Sequence, residues 1–218
     1  MKRLLVLPVI IIFLFGTSFC ASQKEYKKWK PLAEQGSANA QYNLGVMYYK
    51  GSGVDQDYDA AARWYKLAAK QGNASAQNKL GGMYYKGRGV TQDYDAATRW
   101  YKLAAEQGHA SAQKNLGRLY NKGRGVTQNH ETALNWFRLS AEQGHAPAQD
   151  DLGVMYYLGH GVTRNNTRAY MWFYLSASGG DKNAMVNLDR LQNRLTPADI
   201  IKGKQLADEC AAKNYKDC

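Results

Sequence analysis

The sequence lacks the residue patterns that would indicate an enzyme. Its four histidines, His109, His130, His145 and His160, include no pair at the i, i+4 spacing by which one helix face binds a metal ion. It has no Gly-x-Ser-x-Gly elbow, and its Gly-x-Gly-Val loops lie between helical patterns, whereas a phosphate-binding loop joins a strand to a helix. We therefore predict no catalytic residue, no cofactor and no metal site.

The chain also lacks an apolar run long enough to span a bilayer, for which about 20 residues are needed. Its one uninterrupted apolar stretch, Leu4 to Phe15, has about a dozen, with two basic residues before it and three small residues after it. This order is typical of a secretory signal peptide. We predict a signal peptide over residues 1–22 and an exported protein, periplasmic or secreted, with a bacterial source favoured.

A lipid anchor is not expected at Cys20. Lipoprotein signals resemble runs of small residues before the cysteine, and Phe19 does not fit that place. Cleavage is expected between Cys20 and Ser22.

Cysteine is scarce, with three residues in the chain and none between residues 37 and 180. Cys210 and Cys218 would meet an oxidising compartment, where pairing is favoured. One unbroken helix would hold them about 12 Å apart, too far for a disulfide. We predict that the helix ends near Asn214 and that the two cysteines pair, with two free thiols as the alternative.

Acidic residues are fewer than basic ones, 18 against 29, and the formal net charge is +11 at pH 7. A basic balance favours anionic partners such as acidic proteins, glycans and lipid surfaces. Nucleic acid is discounted because the predicted destination lies outside the cytoplasm. We expect a protein or peptide partner, with an acidic segment as one candidate and a cell-wall glycan as the alternative. Composition does not indicate an oligomeric state.

Glycine is abundant, with 21 residues, and much of it recurs at a fixed interval of 36 residues. The glycines in one such register are Gly45, Gly81, Gly117 and Gly153, and those in a second are Gly51, Gly87, Gly123 and Gly159. Trp64, Trp100, Trp136 and Trp172 share a third register. A repeat of between 20 and 50 residues is the signature of a solenoid.

Each 36-residue repeat contains two stretches in which apolar or small residues recur at helical spacing, so we predict two helices per repeat. The first loop glycine is placed as the C-cap of the first helix, and an Asp or Asn is placed to start the second. These starting residues are Asp57, Asp93, Asn129 and Asn165.

Two features inside the helical patterns carry a structural expectation. Gly45 costs its helix about 1 kcal/mol relative to Ala, so we expect a neighbouring helix to approach closely there, with Trp64 filling the surrounding space. Pro31 is expected to kink a long helix or to start a short one.

The combined pattern resembles the Sel-one-like repeat family, a relative of the tetratricopeptide repeats, over about residues 29–195. The first repeat carries it as Ala40, Leu44, Gly45, Tyr48, Gly51, Gly53, Val54, Asp57, Ala61, Trp64, Tyr65, Ala68, Ala69 and Gly72. The resemblance implies an all-α solenoid, a right-handed superhelix of antiparallel helix pairs that serves as an adaptor or scaffold in protein complexes.

The period divides the chain into segments. We predict a half-repeat at 23–36, repeats at 37–72, 73–108, 109–144 and 145–180, and capping helices at 181–218. Thr196 is expected to cap the last helix, with Pro197 at its first position. Ile200, Ile201, Leu206, Ala207 and Cys210 are expected to seal the end of the stack.

Positions that differ between repeats are free of the packing that fixes the others, so we place the binding surface there. The resemblance implies that the first helices line the concave face. The predicted partner-binding residues are Tyr42, Val46, Tyr49, Lys50, Asn78, Tyr85, Lys86, Lys114, Arg118, Asn121, Lys122, Asp150, Val154 and Tyr157. Tyrosine and arginine are enriched where binding energy concentrates, although an ordinary solvated face would also vary.

Two functions remain open at this point. The first is a non-enzymatic interaction module of the cell envelope, and the second is a binder or modifier of cell-wall glycan or β-lactam-like compounds. The second draws on a cysteine-rich subgroup of similar repeats, associated with β-lactam binding, that has a disulfide in each repeat. The absence of cysteine from residues 37–180 argues against a β-lactamase-like activity.

Overall fold

The computed structural model describes residues 9–218, with side chains from residue 22 onward. Residues 1–8 of the predicted signal peptide and the side chain of Cys20 lie outside this description. The helices within it are α1 (Val9–Glu34), α2 (Ala38–Lys50), α3 (Tyr58–Lys70), α4 (Ala74–Lys86), α5 (Tyr94–Glu106), α6 (Ala110–Lys122), α7 (His130–Ala141), α8 (Ala146–Leu158), α9 (Asn166–Ser178), α10 (Lys182–Gln192) and α11 (Pro197–Ala212). No strand occurs in residues 9–218.

The helices fall into two compact units, an N-terminal unit that ends at Gln92 and a C-terminal unit from Asp93 to Cys218. Within each unit, consecutive helices up to α10 pack against one another, and α9 contacts both α10 and α11. The predicted all-α solenoid of helix pairs is confirmed. None of the helices within the described range has the length and apolar character that a membrane crossing requires.

Loop glycines end the first helix of each repeat as predicted. Gly51, Gly87, Gly123 and Gly159 adopt the left-handed conformation, and the backbone N–H of each bonds to the last turn of its helix. The second loop glycine is also required by packing, because a Cβ on Gly125 would collide with the Tyr94 carbonyl of the preceding repeat. The loop backbone therefore lies directly on the preceding second helix, and only glycine fits.

A buried glutamine ties each first helix to the helix before it. The side-chain amide of Gln113 donates to the carbonyl oxygen of Ala105 at 3.2 Å, and Gln149 donates to Ala141 at 3.3 Å. Gln41 and Gln77 make the same bond in the N-terminal unit. Each of these carbonyl oxygens also accepts from the N–H of the turn glycine three residues later, so the glutamine supplies its second hydrogen bond.

The mid-helix glycines do accept a close neighbour, but the neighbour is not the predicted tryptophan. A Cβ on Gly117 would lie 2.8 Å from the ring of Phe137, and one on Gly45 would lie 2.7 Å from the ring of Tyr65. In repeats 1, 3 and 4 the residue after the tryptophan thus packs on the glycine. Trp64 is only half-buried, because one step along a helix turns a side chain by about 100°.

Pro31 lies inside the long helix α1, so the alternative in which it starts a short helix is wrong. It sits in the last turn on the exposed side, where water can bond the carbonyl that the missing N–H leaves free.

The C-terminal cap follows the prediction except at one residue. The Thr196 hydroxyl accepts a hydrogen bond from the Asp199 N–H and so caps α11, whose first residue is Pro197. Cys210 and Cys218 form a disulfide. Ile201, expected in the seal, is 58% exposed.

Candidate functional site

The predicted partner-binding residues, called here the first-helix surface, are distributed over both compact units. In the N-terminal unit, Lys50 and Lys86 are exposed at the last turns of α2 and α4. Tyr42 and Tyr49 are half-buried, and their rings pack on Tyr65 and Tyr58 at centroid distances of 5.9 and 5.1 Å. The tyrosines therefore present only part of each ring to a partner.

Arg88, which follows the first loop glycine of repeat 2, interacts with the preceding repeat. Its guanidinium donates to the Tyr49 hydroxyl at 2.9 Å and lies 5.7 Å from the Tyr58 ring centroid. Arg124 occupies the same place over Tyr94 at 5.6 Å. These cation–π contacts join successive repeats and border the first-helix surface.

In the C-terminal unit, two predicted residues lie within a network of charges. Arg118 makes a two-pronged ion pair with Asp151, its Nε and Nη2 lying 2.8 and 3.0 Å from the carboxylate oxygens. Asp150 is buried and accepts from the Asn187 amide at 2.8 Å. Arg118 is thus already paired with an acid of its own chain.

Burial has the largest influence on the pKa values of the acids and of Lys114 in this network. Desolvation raises the pKa values of Asp150 and Asp151, although Arg118 lowers both. Desolvation also lowers the pKa of Lys114, and the nearby Arg118 charge lowers it further. These groups hold the unit together at a cost in solvation, so they offer little free positive charge to a partner.

The remaining predicted residues of the C-terminal unit divide between exposed and half-buried. Lys122 is exposed at the end of α6, and the side-chain oxygen of Asn121 accepts from Nδ1 of the His130 ring at 2.7 Å. Val154 and Tyr157, on α8, are half-buried beside α10.

Sequence reasoning missed three side chains: Asn187 and Arg190 on α10, and Arg194 just beyond the end of that helix. Together with α8 they line a cavity of about 360 Å³. The 36-residue period could have found two of them, since Arg190 continues the register of Val154 and Arg194 continues that of Leu158. These residues were not predicted because α10 was interpreted only as a capping helix.

The histidines have structural contacts. His109 caps α6 by accepting from the Ala112 N–H, and the ring of His130 stacks on that of His160 at 4.3 Å. Across the described residues, no three His, Cys, Asp or Glu side chains are grouped so that they could hold a metal ion.

Sequence reasoning overlooked one catalytic pattern, Ser-x-x-Lys, which runs from Ser111 to Lys114 at the start of α6. The Ser111 hydroxyl lies 3.2 Å from Nε2 of His145. In the N-terminal unit the equivalent pair, Asn39 and Asn73, makes the same tie between repeats at 3.1 Å. The shared register assigns Ser111 and His145 to inter-repeat packing.

The comparisons agree with this architecture. The Sel1 repeat model matches residues 38–73, 74–109, 110–145 and 146–181. The chain is similar to a Sel1 repeat protein from Oxalobacter formigenes, with 33% identity over 80% of this chain and 72% of that one, at a TM-score of 0.74.

Two further solved structures are similar. The protective antigen c5321 of uropathogenic Escherichia coli, which displays an SLR fold, is 34% identical over 94% of this chain and 46% of its own, at a TM-score of 0.74. The chain thus spans less than half of c5321. Immunity protein Pa5087 from Pseudomonas aeruginosa is 25% identical over 87% of this chain and 72% of its own, at a TM-score of 0.54. No match was found among curated proteins.

Proposed function

The chain belongs to the Sel1 repeat family, whose members generally act as protein-interaction scaffolds, and from that premise we propose that it is an exported scaffold of the bacterial cell envelope. It binds an acidic protein segment on the first-helix surface and carries out no chemistry of its own.

One observation carries the proposal: the first helices of repeats 1 to 3 end in exposed lysines that no described residue neutralises. Lys50, Lys86 and Lys122 share one register and make no ion pair with a described residue. In the N-terminal unit, Tyr49 adds a half-buried ring beside Lys50. Aromatic area next to cationic charge suits an acidic peptide, because the rings supply contact area and the lysines speed association.

Export is supported by both ends of the sequence. The signal-like order of residues 1–22 precedes the helical repeats, and the Cys210–Cys218 disulfide suits an oxidising compartment. Intact-mass measurement of the protein from the periplasm or culture medium is expected to show a chain that starts between Cys20 and Ser22. A full-length chain in the cytoplasm would contradict export.

Charge neutralisation tests the binding surface. Replacing Lys50, Lys86 and Lys122 by Gln is expected to lower capture of partner proteins from an envelope extract at least fivefold. Glutamine is preferred to glutamate because these lysines lie in last turns, where a negative charge would oppose the helix dipole. Arg118 is left intact because its loss would strand Asp151.

The matched control neutralises three exposed cations of second helices, Lys66, Lys70 and Arg99. It changes the net charge equally and is expected to leave capture unchanged. Equal loss in both variants would mean that net charge alone attracts the partner. Saturable heat with purified cell-wall fragments, together with unchanged protein capture, would favour the glycan alternative instead.

A further inference from the structure

A cavity in the C-terminal unit lies between α8 and α10, with Phe173 of α9 contributing to its wall, and has a volume of about 360 Å³. This volume falls within the range of small-ligand sites. The side chains that line it are Val154, Tyr157, Leu158, Phe173, Asn187, Arg190, Leu191 and Arg194. Val154 and Tyr157 belong to the first-helix surface, so the cavity forms one end of that surface in this unit.

The charge of the lining has one sign. Arg190, on α10, and Arg194, in the turn that follows α10, both line the cavity. Neither Asp nor Glu is among the lining residues. Such a pair of guanidinium groups is suited to a carboxylate, which it can bind through two parallel hydrogen bonds.

The two arginines differ in how far they are already engaged. One guanidinium nitrogen of Arg194 donates to the Tyr157 hydroxyl at 2.7 Å, which fixes the side chain at the cavity and leaves its other N–H groups available. Arg190 is exposed, and its side chain makes no hydrogen bond or ion pair with the described residues. The contrast with Arg118, which is paired with Asp151, is direct.

The rest of the lining is apolar. Leu158 is 50% exposed, while Leu191 and Phe173 are buried. An apolar group that entered the cavity would cover Leu158 and displace water from it. The cavity therefore combines a cationic edge with an apolar wall.

We propose that this cavity binds the carboxyl terminus of a partner protein, with the α-carboxylate on Arg190 and Arg194 and an apolar last side chain against Leu158 and Leu191. The proposal rests on the proposed scaffold function and specifies the partner class for one end of its surface.

The arrangement selects a chain terminus over an internal acidic residue for a geometric reason. At a terminus, the carboxylate and the last side chain are attached to the same Cα atom, so both groups reach one small cavity together. In an extended internal segment, an acidic residue and its apolar neighbour point to opposite sides. An acidic residue and an apolar residue two positions away do share one side, but they lie about 6–7 Å apart, so the terminal residue brings the two groups closest together.

Fluorescence anisotropy with N-terminally labelled hexapeptides tests the proposal on the full chain. The probes are Gly-Ser-Gly-Ser-Gly-Leu with a free carboxyl terminus, the same peptide with a carboxamide terminus, and the free-acid peptide ending in Gly. We expect the free-acid leucine peptide to bind at least tenfold more tightly than either of the other two. Equal binding of the amide, or no binding of any probe, would overturn the proposal.

Variants identify the site. The double change Arg190→Gln and Arg194→Gln is expected to weaken binding of the leucine peptide at least tenfold, and Leu158→Ser several-fold. Arg99→Gln, an exposed arginine on α5, is the matched control and is expected to stay within twofold of the unchanged protein. A further probe is an amide-capped peptide with an internal Asp-Gly-Leu segment. If it bound as tightly as the free-acid leucine peptide, the site would recognise an internal acidic motif and not a carboxyl terminus.

The same variants separate this inference from the scaffold function. If the lysine variants lose partner capture while Arg190→Gln with Arg194→Gln keeps it, the scaffold function stands and the carboxyl-terminal site is wrong. If peptides bind as expected and the lysine variants still capture partners, the site stands and the wider surface does not.

Discussion

At the residue scale, the contact between a mid-helix glycine and the aromatic ring that packs on it limits what each first helix tolerates. Gly117 faces the Phe137 ring, with the Ala133 carbonyl also 3.2 Å from a Cβ built there. Gly82 lies in repeat 2, one residue after Gly81, which is the counterpart of Gly117. The other repeats have Val46, Arg118 and Val154 at the position of Gly82, and all three carry side chains.

We expect Gly117→Ala to destabilise the protein by about 1 kcal/mol, because overpacking costs about 1–3 kcal/mol and helix propensity returns about 1 kcal/mol. Gly82→Ala should stabilise it by up to about 1 kcal/mol, because it gains propensity without a collision. Urea denaturation of both variants measures the difference. Equal shifts in the same direction would show that the ring does not restrict this register.

His145 stands at the start of α8 without making the cap that the other repeats have. Its Nδ1 is buried and has no hydrogen-bond partner, whereas Asn73 accepts from the Ala76 N–H at 2.8 Å in the equivalent place. Burial lowers the pKa of His145, and the charges of Lys114, His109 and Arg118 lower it further, opposed by Asp181. The folded state therefore resists protonation of this ring.

The sign of the pH effect follows from that shift. Below about pH 6.5 the unfolded chain binds a proton at His145 more readily than the folded chain does, so stability falls as the pH drops. His145→Asn should add about 1 kcal/mol at pH 7.5 through a new cap, and its advantage should grow at pH 5.5. Thermal unfolding at the two pH values measures this.

His109→Asn is the control, because His109 already makes its cap. A smaller gain at pH 7.5 is expected there. If His145→Asn proved less stable than the unchanged protein at both pH values, the tie to Ser111 would outweigh the missing cap.

At the element scale, the last helix depends on its covalent link. Cys210 and Cys218 lie with Cα atoms 5.4 Å apart, and between them Asn214, Tyr215 and Asp217 have positive φ angles of 52°, 64° and 52°. Non-glycine residues adopt this region at a cost, so the tail needs an outside constraint. The Cys218 carbonyl also accepts from Arg168 on α9 at 3.0 Å.

Removing the link by Cys210→Ala with Cys218→Ala should cost about 2 kcal/mol of stability, as chain entropy predicts for a short loop. Hydrogen exchange should show faster opening at the end of α11, while amides of α6 to α8 keep their protection. Loss of protection throughout the C-terminal unit would mean that the link supports the whole unit.

Much of the element order was predictable because a 36-residue period fixes turns, caps and helix pairs together. The glycine–aromatic contact was misassigned because Trp64 and Tyr65 are adjacent, and periodicity alone cannot decide which one turns inward. The Arg118–Asp151 pair was missed because it joins different registers of neighbouring repeats. The cavity beside α10 was missed because α10, which was predicted only as a capping helix, forms one of its walls.

At the whole-molecule scale, the repeats separate two kinds of residue. The glycines, buried glutamines and loop turns recur because each repeat must pack on the next, and they account for the fold. The exposed lysines of the first helices and Arg190 make no such contact with another described residue. Second helices also expose side chains, including Leu103 and Leu139, but these are apolar and carry no charge that would attract an acidic partner.

The central claim is that the first helices carry the interaction surface. Site-specific photo-crosslinking in living cells tests it most directly, with the photoreactive residue placed at Lys86 or Lys122 on first helices and at Lys66 or Arg99 on second helices. The account predicts discrete protein adducts from Lys86 and Lys122 and none from Lys66 and Arg99. Adducts confined to the second-helix positions, or none at any of the four, would contradict it.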